Sequence, residues 1–195
     1  MVFCRNKSVT LIELIIAIVL VAVIILGISS INIFSNYHII SSDRRAKVQN
    51  EVSLCLEHIT KEASRAIGNE AVFIGNTVVD IVTNTSLAVF IDADLDGKRD
   101  TAKDYWIKYT FANNILSYCG NCGNSFVCGS CSISTEVLSK KITAFNPKKD
   151  FADGNHIEVS ITGCHNPGGT PACGTPDNPE ITMHTAVDLP SVSTR

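Results

Sequence analysis

No block of basic residues and no stripe of Lys and Arg occurs in this chain of 195 residues, whose formal net charge is −3. Electrostatics therefore give no case for a nucleic-acid partner. Internal repeats and low-complexity tracts are missing too, which leaves one domain of ordinary size with room for a sizeable core. Catalytic signatures are absent as well. His38, His58, His156, His165 and His184 are dispersed, with no H-E-x-x-H pair and no nucleophile elbow. His165, beside Cys164, is the one placed to join a metal site, although a surface-loop histidine is the commoner case. The chain reads as a non-enzyme. No proline falls between residues 9 and 67, so nothing there breaks a helix.

What is present begins with "KSVTLIELIIAIVLVAVIILGISS". From Val9 to Ile28 the only strongly polar residues are Thr10 and Glu13. As a helix this stretch is about 30 Å long, enough to cross a hydrocarbon core. The leader "MVFCRNKS" carries Arg5 and Lys7 and no acid, so the N-terminus is expected to stay cytoplasmic and the remainder to lie outside. A cleaved secretory signal has a shorter apolar core. A plain signal anchor fits the length but leaves Glu13 unexplained, because a carboxylate inside a bilayer is costly. If the chain is cut after Ser8, Val9 becomes a cationic N-terminus one helical turn from Glu13, and each charge can neutralise the other within or between subunits.

These residues resemble the class III signal of type IV prepilins and pseudopilins: a short basic leader, a small residue before the cut, then T-L-I-E-L with Glu fifth. The resemblance implies cleavage between Ser8 and Val9 by a membrane prepilin peptidase, N-methylation of Val9, and a role for Glu13 in assembly. It departs from the family at the cut, where Ser8 replaces the usual Gly and Val9 the usual Phe.

Beyond the apolar run, Val48, Val52, Cys55, Leu56, Ile59, Ala63, Ala66 and Ile67 recur at spacings of three and four between charged residues. That is an amphipathic helix laid against a domain. With Gly68-Asn69 as its stop, one continuous helix of roughly 85–90 Å is expected. Short strands follow: "AVFIG", "VVDIVT", "SLAVFIDA", "DYWIKYTF", "NILSY" after a hairpin at Asn113-Asn114, then "EVLSKKITAF", "HIEVSITG" and "ITMHTAVDL". The fold class is α+β, a long N-terminal helix packed on an antiparallel β-sheet. The expected divisions are 1–8 (leader), 9–34 (membrane and filament-core helix), 35–68 (its amphipathic continuation) and 69–195 (extracytoplasmic β domain with a Cys-rich loop at 119–131). This order, with "LAVFIDADLDGKRDTAKDYWIKYTFANNILSY", also resembles the PilW-like minor pilins, which implies a type IV pilin-like fold.

"DADLDGKRD" sets Asp92, Asp94, Asp96 and Asp100 at positions 1, 3, 5 and 9 of a calcium-type loop, with Gly97 at 6. Position 12 is Lys103, with Asp104 one step late, and the flanks are strands. A weak calcium site and a solvated hairpin turn are both compatible with that pattern. Eight cysteines suggest an oxidising compartment or a metal site. Cys4 leaves with the leader. Cys119, Cys122, Cys128 and Cys131 form C-x2-C-x5-C-x2-C, readable as disulfides or as a zinc site with an unusually short spacer. Cys164 and Cys173 flank a Pro/Gly loop suited to a disulfide. Cys55, on the apolar side of the helix, is either a free core thiol or the partner of a sheet cysteine.

The leading reading is a minor pilin-like structural subunit without a required cofactor. It is held in the bacterial inner membrane, and its expected partners are prepilin peptidase, other pilin or pseudopilin subunits and the inner-membrane assembly platform. It would end in a pilus or a periplasmic pseudopilus. A minor pseudopilin of a type II secretion or DNA-uptake system is the rival within that class. A membrane-anchored extracytoplasmic module for Ca²⁺ or Zn²⁺ is the rival from another.

Overall fold

The structure, a computed structural model, describes residues 10–66, 79–82, 84–94, 103–123, 131, 134–149 and 156–189. The chain divides into two compact units, Met1–Ser42 and Asp43–Arg195. The first contributes the opening of α1 (Leu11–Ala63). Its large apolar residues from Leu11 to Ile40 are all exposed. Ser29 and Ser30 turn their hydroxyls back onto the carbonyls of Ile25 (2.8 Å) and Leu26 (2.9 Å). Those bonds satisfy two polar groups inside an apolar helix.

In the second unit the rest of α1 buries Val48, Val52, Cys55, Leu56, Ile59 and Ala63, the stripe that the three-and-four spacing marks out. Each fully buried Val, Leu or Ile contributes about 1.5–3 kcal/mol. The helix stops before Gly68-Asn69, which lie outside the described residues. Arg65 and Ala66 close a tight turn onto the carbonyls of Glu62 and Ala63, and Ala66 then pairs with Ile91 as an isolated bridge. The last expected turn of helix is thus given up to the sheet.

Eight strands follow: β1 (Val79–Val82), β2 (Ser86–Ile91), β3 (Tyr105–Ala112), β4 (Ile115–Cys119), β5 (Glu136–Ser139), β6 (Ile142–Lys149), β7 (His156–Cys164) and β8 (Glu180–Asp188). They make two antiparallel sheets, β1-β2-β3-β4-β5 and β6-β7-β8. The expected strand "AVFIG" falls outside the described residues. Asn113 and Asn114 both take positive φ (51° and 63°) between Ala112 and Ile115, the geometry that matches a two-residue hairpin to strand twist. β2 is buried on both faces, as its unbroken "SLAVFI" requires. Phe90, Trp106, Ile107 and Tyr109 complete this core, with Phe90 and Trp106 edge to face at 5.4 Å. The buried Tyr109 hydroxyl meets His58 Nδ1 at 3.0 Å. Burial drives the Tyr109 phenol well above its ordinary pKa.

"EVLSKKITAF", expected as one strand, is two strands in different sheets. The break at Lys140-Lys141 is made by tertiary contacts. Ser139 Oγ accepts from the Lys141 N–H (3.0 Å) and donates to Glu51 on α1 (2.9 Å), while Lys141 Nζ pairs with the other Glu51 oxygen at 3.1 Å. One carboxylate on the helix therefore holds both sides of the break.

Candidate functional site

Glu13 has a partner within its own helix. The Thr10 N–H and hydroxyl both donate to Glu13 Oε2 (2.9 and 3.0 Å), and the Glu13 N–H returns to Thr10 Oγ1 at 3.3 Å. Thr10 is the N-cap and Glu13 the third helical residue, a reciprocal capping box that satisfies otherwise orphaned donors. The T-x-x-E spacing writes this box into the sequence, and it gives Glu13 a partner other than the Val9 amine. Ser8 and Val9, on either side of the expected cut, lie outside the described residues.

The β2–β3 connection gathers carboxylates. Asp92, Asp94 and Asp104 each bring an oxygen within 4.8 Å of the others. Asp92 and Asp104 are buried, and the Ala93 N–H donates to Asp104 Oδ1 at 3.0 Å. Asp94 is exposed and pairs with Lys103 Nζ at 2.6 Å. Asp104, set aside as one step late in the loop pattern, is brought in because β3 starts directly after it. Asp96 and Asp100 lie outside the described residues. Hard oxygen donors drawn from both ends of the β2–β3 connection suit Ca²⁺, and Lys103 supplies a competing positive charge.

Cys119 is joined to Cys131 and Cys164 to Cys173, each pair with Cα atoms 5.9 Å apart. Cys122 is also disulfide-bonded, and Cys128 lies outside the described residues. A sulfur held in a disulfide is not the thiolate that zinc binds, so Cys119 and Cys131 take the disulfide alternative. Cys55 is a free, buried thiol, pushed up to about 11 by desolvation and then by Glu51. The loop closed by Cys164 and Cys173 is braced by Asn178, which is 2% exposed. Its amide donates to the carbonyls of Pro171 (2.8 Å) and Asn166 (3.1 Å) and accepts from the Asn166 N–H (2.8 Å). His165 enters a polar pocket with Arg44, Asn166, Asp177 and Asn178. Desolvation first, then Lys141, Arg44 and Lys47, lower its pKa.

Residues 4–29 match the family described as the prokaryotic N-terminal methylation motif. The chain carries a type IV prepilin-like class III signal. Among curated proteins, none matches the chain. The motif takes in Arg5 and Lys7 of the leader, the Ser8/Val9 junction, the Thr10–Glu13 box and the apolar run to Ile28. It supports a type IV pilin- or pseudopilin-like reading of the chain and implies processing by prepilin peptidase and assembly with other pilins. The exposed apolar helix fits membrane anchoring through this same segment.

Proposed function

We propose that the chain is a minor type IV pilin-like subunit of the PilW-like kind, cut between Ser8 and Val9 and N-methylated on Val9. It is held in the bacterial inner membrane with its leader cytoplasmic, then drawn into a pilus whose assembly it helps to initiate. The observation that supports this reading is the methylation motif at residues 4–29, running into a helix whose large apolar residues from Leu11 to Ile40 are exposed. A surface so apolar needs a bilayer or neighbouring helices. A minor pseudopilin of a type II secretion or DNA-uptake system draws on the same motif. Intact-mass and N-terminal analysis of membrane-extracted protein tests the proposal. The expected product has lost "MVFCRNKS" and carries one methyl group on the Val9 amine. A chain that keeps Met1 in cells with active peptidase refutes it.

A second reading concerns the acidic turn. We propose that Asp92, Asp94 and Asp104, with Asp96 and Asp100 as further donors, hold a calcium ion weakly. The convergence of three carboxylates on one point favours this over a merely solvated hairpin. It would brace the β2–β3 turn rather than supply chemistry, and calcium-dependent melting reads it.

A further inference from the structure

Among the described residues, the two sheets end in β1, β5, β6 and β8, and three of these strands carry the devices that blunt an edge. β1 and β5 are four residues each, and β5 meets β4 through a register shift at Leu116/Ser117. β6 holds Pro147 followed by Lys148 and Lys149, and Lys149 Nζ reaches the Val79 carbonyl of β1 at 3.4 Å. Short length, irregularity, proline and lysine all discourage a further strand from pairing. β8 has none of them. It runs nine residues, pairs with β7 from end to end, and among the described residues no backbone group bonds its other side.

Beside that open edge lies a groove of about 510 Å³ between α1 and β8, lined by Leu56, Glu57, Thr60 and Lys61 on the helix and by Met183, His184 and Thr185 on the strand. A strand added to β8 would lie about 4.8 Å away. Its inward side chains would cover this groove, extending the core that Met183 and Ile181 already border. Its outward side chains would stand beside Glu180, Thr182, His184, Ala186 and Asp188, all exposed. An acid sits at each end of that row, Glu180 accepting from Thr143 Oγ1 at 3.0 Å and Asp188 paired with His156 at 2.7 Å.

The charges decide what can dock. Full-length antiparallel pairing of two copies of β8 sets Glu180 opposite Asp188 at both ends, and in-register parallel pairing sets like on like at Glu180 and Asp188. Like charges directly opposite are destabilising. We propose that the outer edge of β8 receives an extended segment of a different protein subunit, added as a further strand. That segment is apolar at the positions facing the groove and basic at the positions opposite Glu180 and Asp188. Main-chain hydrogen bonds would supply affinity, and the groove with its flanking acids would supply specificity.

The test uses the full chain in detergent micelles and a capped, fluorescent peptide, Lys-Val-Thr-Val-Thr-Val-Thr-Val-Lys, followed by fluorescence anisotropy. A second peptide carries Glu at both ends, and a third is N-methylated at every internal residue. The Lys-ended peptide is expected to bind about tenfold more tightly than the Glu-ended one, and the methylated peptide not at all. The double variant Glu180→Lys/Asp188→Lys should reverse the preference, and Met183→Glu should weaken binding of the Lys-ended peptide. Circular dichroism confirms that each variant is folded. Equal binding of the two charged peptides, binding that survives N-methylation, or no binding at millimolar peptide would overturn the proposal. So would self-association of the wild-type chain that Met183→Glu abolishes, since the occupant would then be a second copy.

Discussion

Gly163 on β7 lies so close to Val52 on α1 that a Cβ at Gly163 would stand 2.5 Å from Val52 Cγ2 and 3.3 Å from Val48 Cγ1. The absent side chain is what lets the strand approach the helix. Gly163→Ala should therefore destabilise the domain by about 1–3 kcal/mol through overpacking. Adding Val52→Ala should recover part of that loss, because it removes the atom that is struck. Thermal or denaturant melting of both variants reads the effect. A single variant that melts with wild type would mean that the helix shifts freely.

Thr10 and Glu13 separate helix capping from assembly. Thr10→Ala removes the cap, at about 1 kcal/mol of helix stability, while Thr10→Ser keeps a hydroxyl and should behave nearly as wild type. Glu13→Ala should still insert, since the segment becomes more apolar, and should still be cut at Ser8. If the cut falls after Ser8 as proposed, incorporation into filaments should fail, because the amine of Val9 would then enter an apolar bundle without its carboxylate. Glu13→Asp should rescue in part and Glu13→Gln should resemble Ala. The measurement is co-purification with sheared filaments, alongside a membrane-fraction control. Normal assembly of Glu13→Ala would reduce Glu13 to a capping residue.

Calcium should raise the melting temperature of the wild-type chain by mass action. Asp104→Asn should abolish most of that rise, since it removes a buried donor at the point where the three carboxylates meet. Lys103→Ala should enhance it, because Lys103 holds Asp94 at 2.6 Å and competes with the ion. No shift at millimolar calcium, or the same shift in Asp104→Asn, would leave only a turn.

His156 Nδ1 meets Asp188 at 2.7 Å across the β7–β8 pair, with Glu158 nearby. The hydrogen bond that His156 donates to Asp188, followed by the charges of Asp188 and Glu158, raises the pKa of His156 above its ordinary 6.5. A histidine raised in the folded state lends its full stabilisation below the unfolded pKa and loses it as pH rises through the folded one. The stability difference between wild type and Asp188→Asn should therefore shrink as pH climbs from below 6.5. The imidazole midpoint, followed by NMR, should fall in Asp188→Asn. An unchanged midpoint would contradict the pairing.

The buried stripe from Val48 to Ala66 was legible because a 3.6-residue period writes burial directly into the order of apolar residues. The Asn113-Asn114 turn was legible because few residues accept two positive φ angles in succession. The break inside "EVLSKKITAF" was not, since it depends on Glu51, far away in the chain. A calcium-loop template leaves out Asp104 because it counts along the chain, whereas the pairing of β2 with β3 sets both ends of the connection side by side. The Cys164–Cys173 pair was legible because the two residues flank a short Pro/Gly loop, whereas spacing alone cannot choose partners within the 119–131 cluster. The methylation motif was legible for the opposite reason: its residues act through their order near one peptide bond.

The loop between β7 and β8 is tied at Cys164–Cys173 and cross-braced by Asn178, while residues 170–172 at its rim are exposed. Whatever occupies that rim has little influence on the register of the strands, because the fastening lies beneath it. Side chains there can change while the brace, which grips only the Pro171 backbone carbonyl, stays in place, much as a label can be changed on a sealed container. A subunit that displays its domain to a changing exterior could vary this surface without renegotiating its fold.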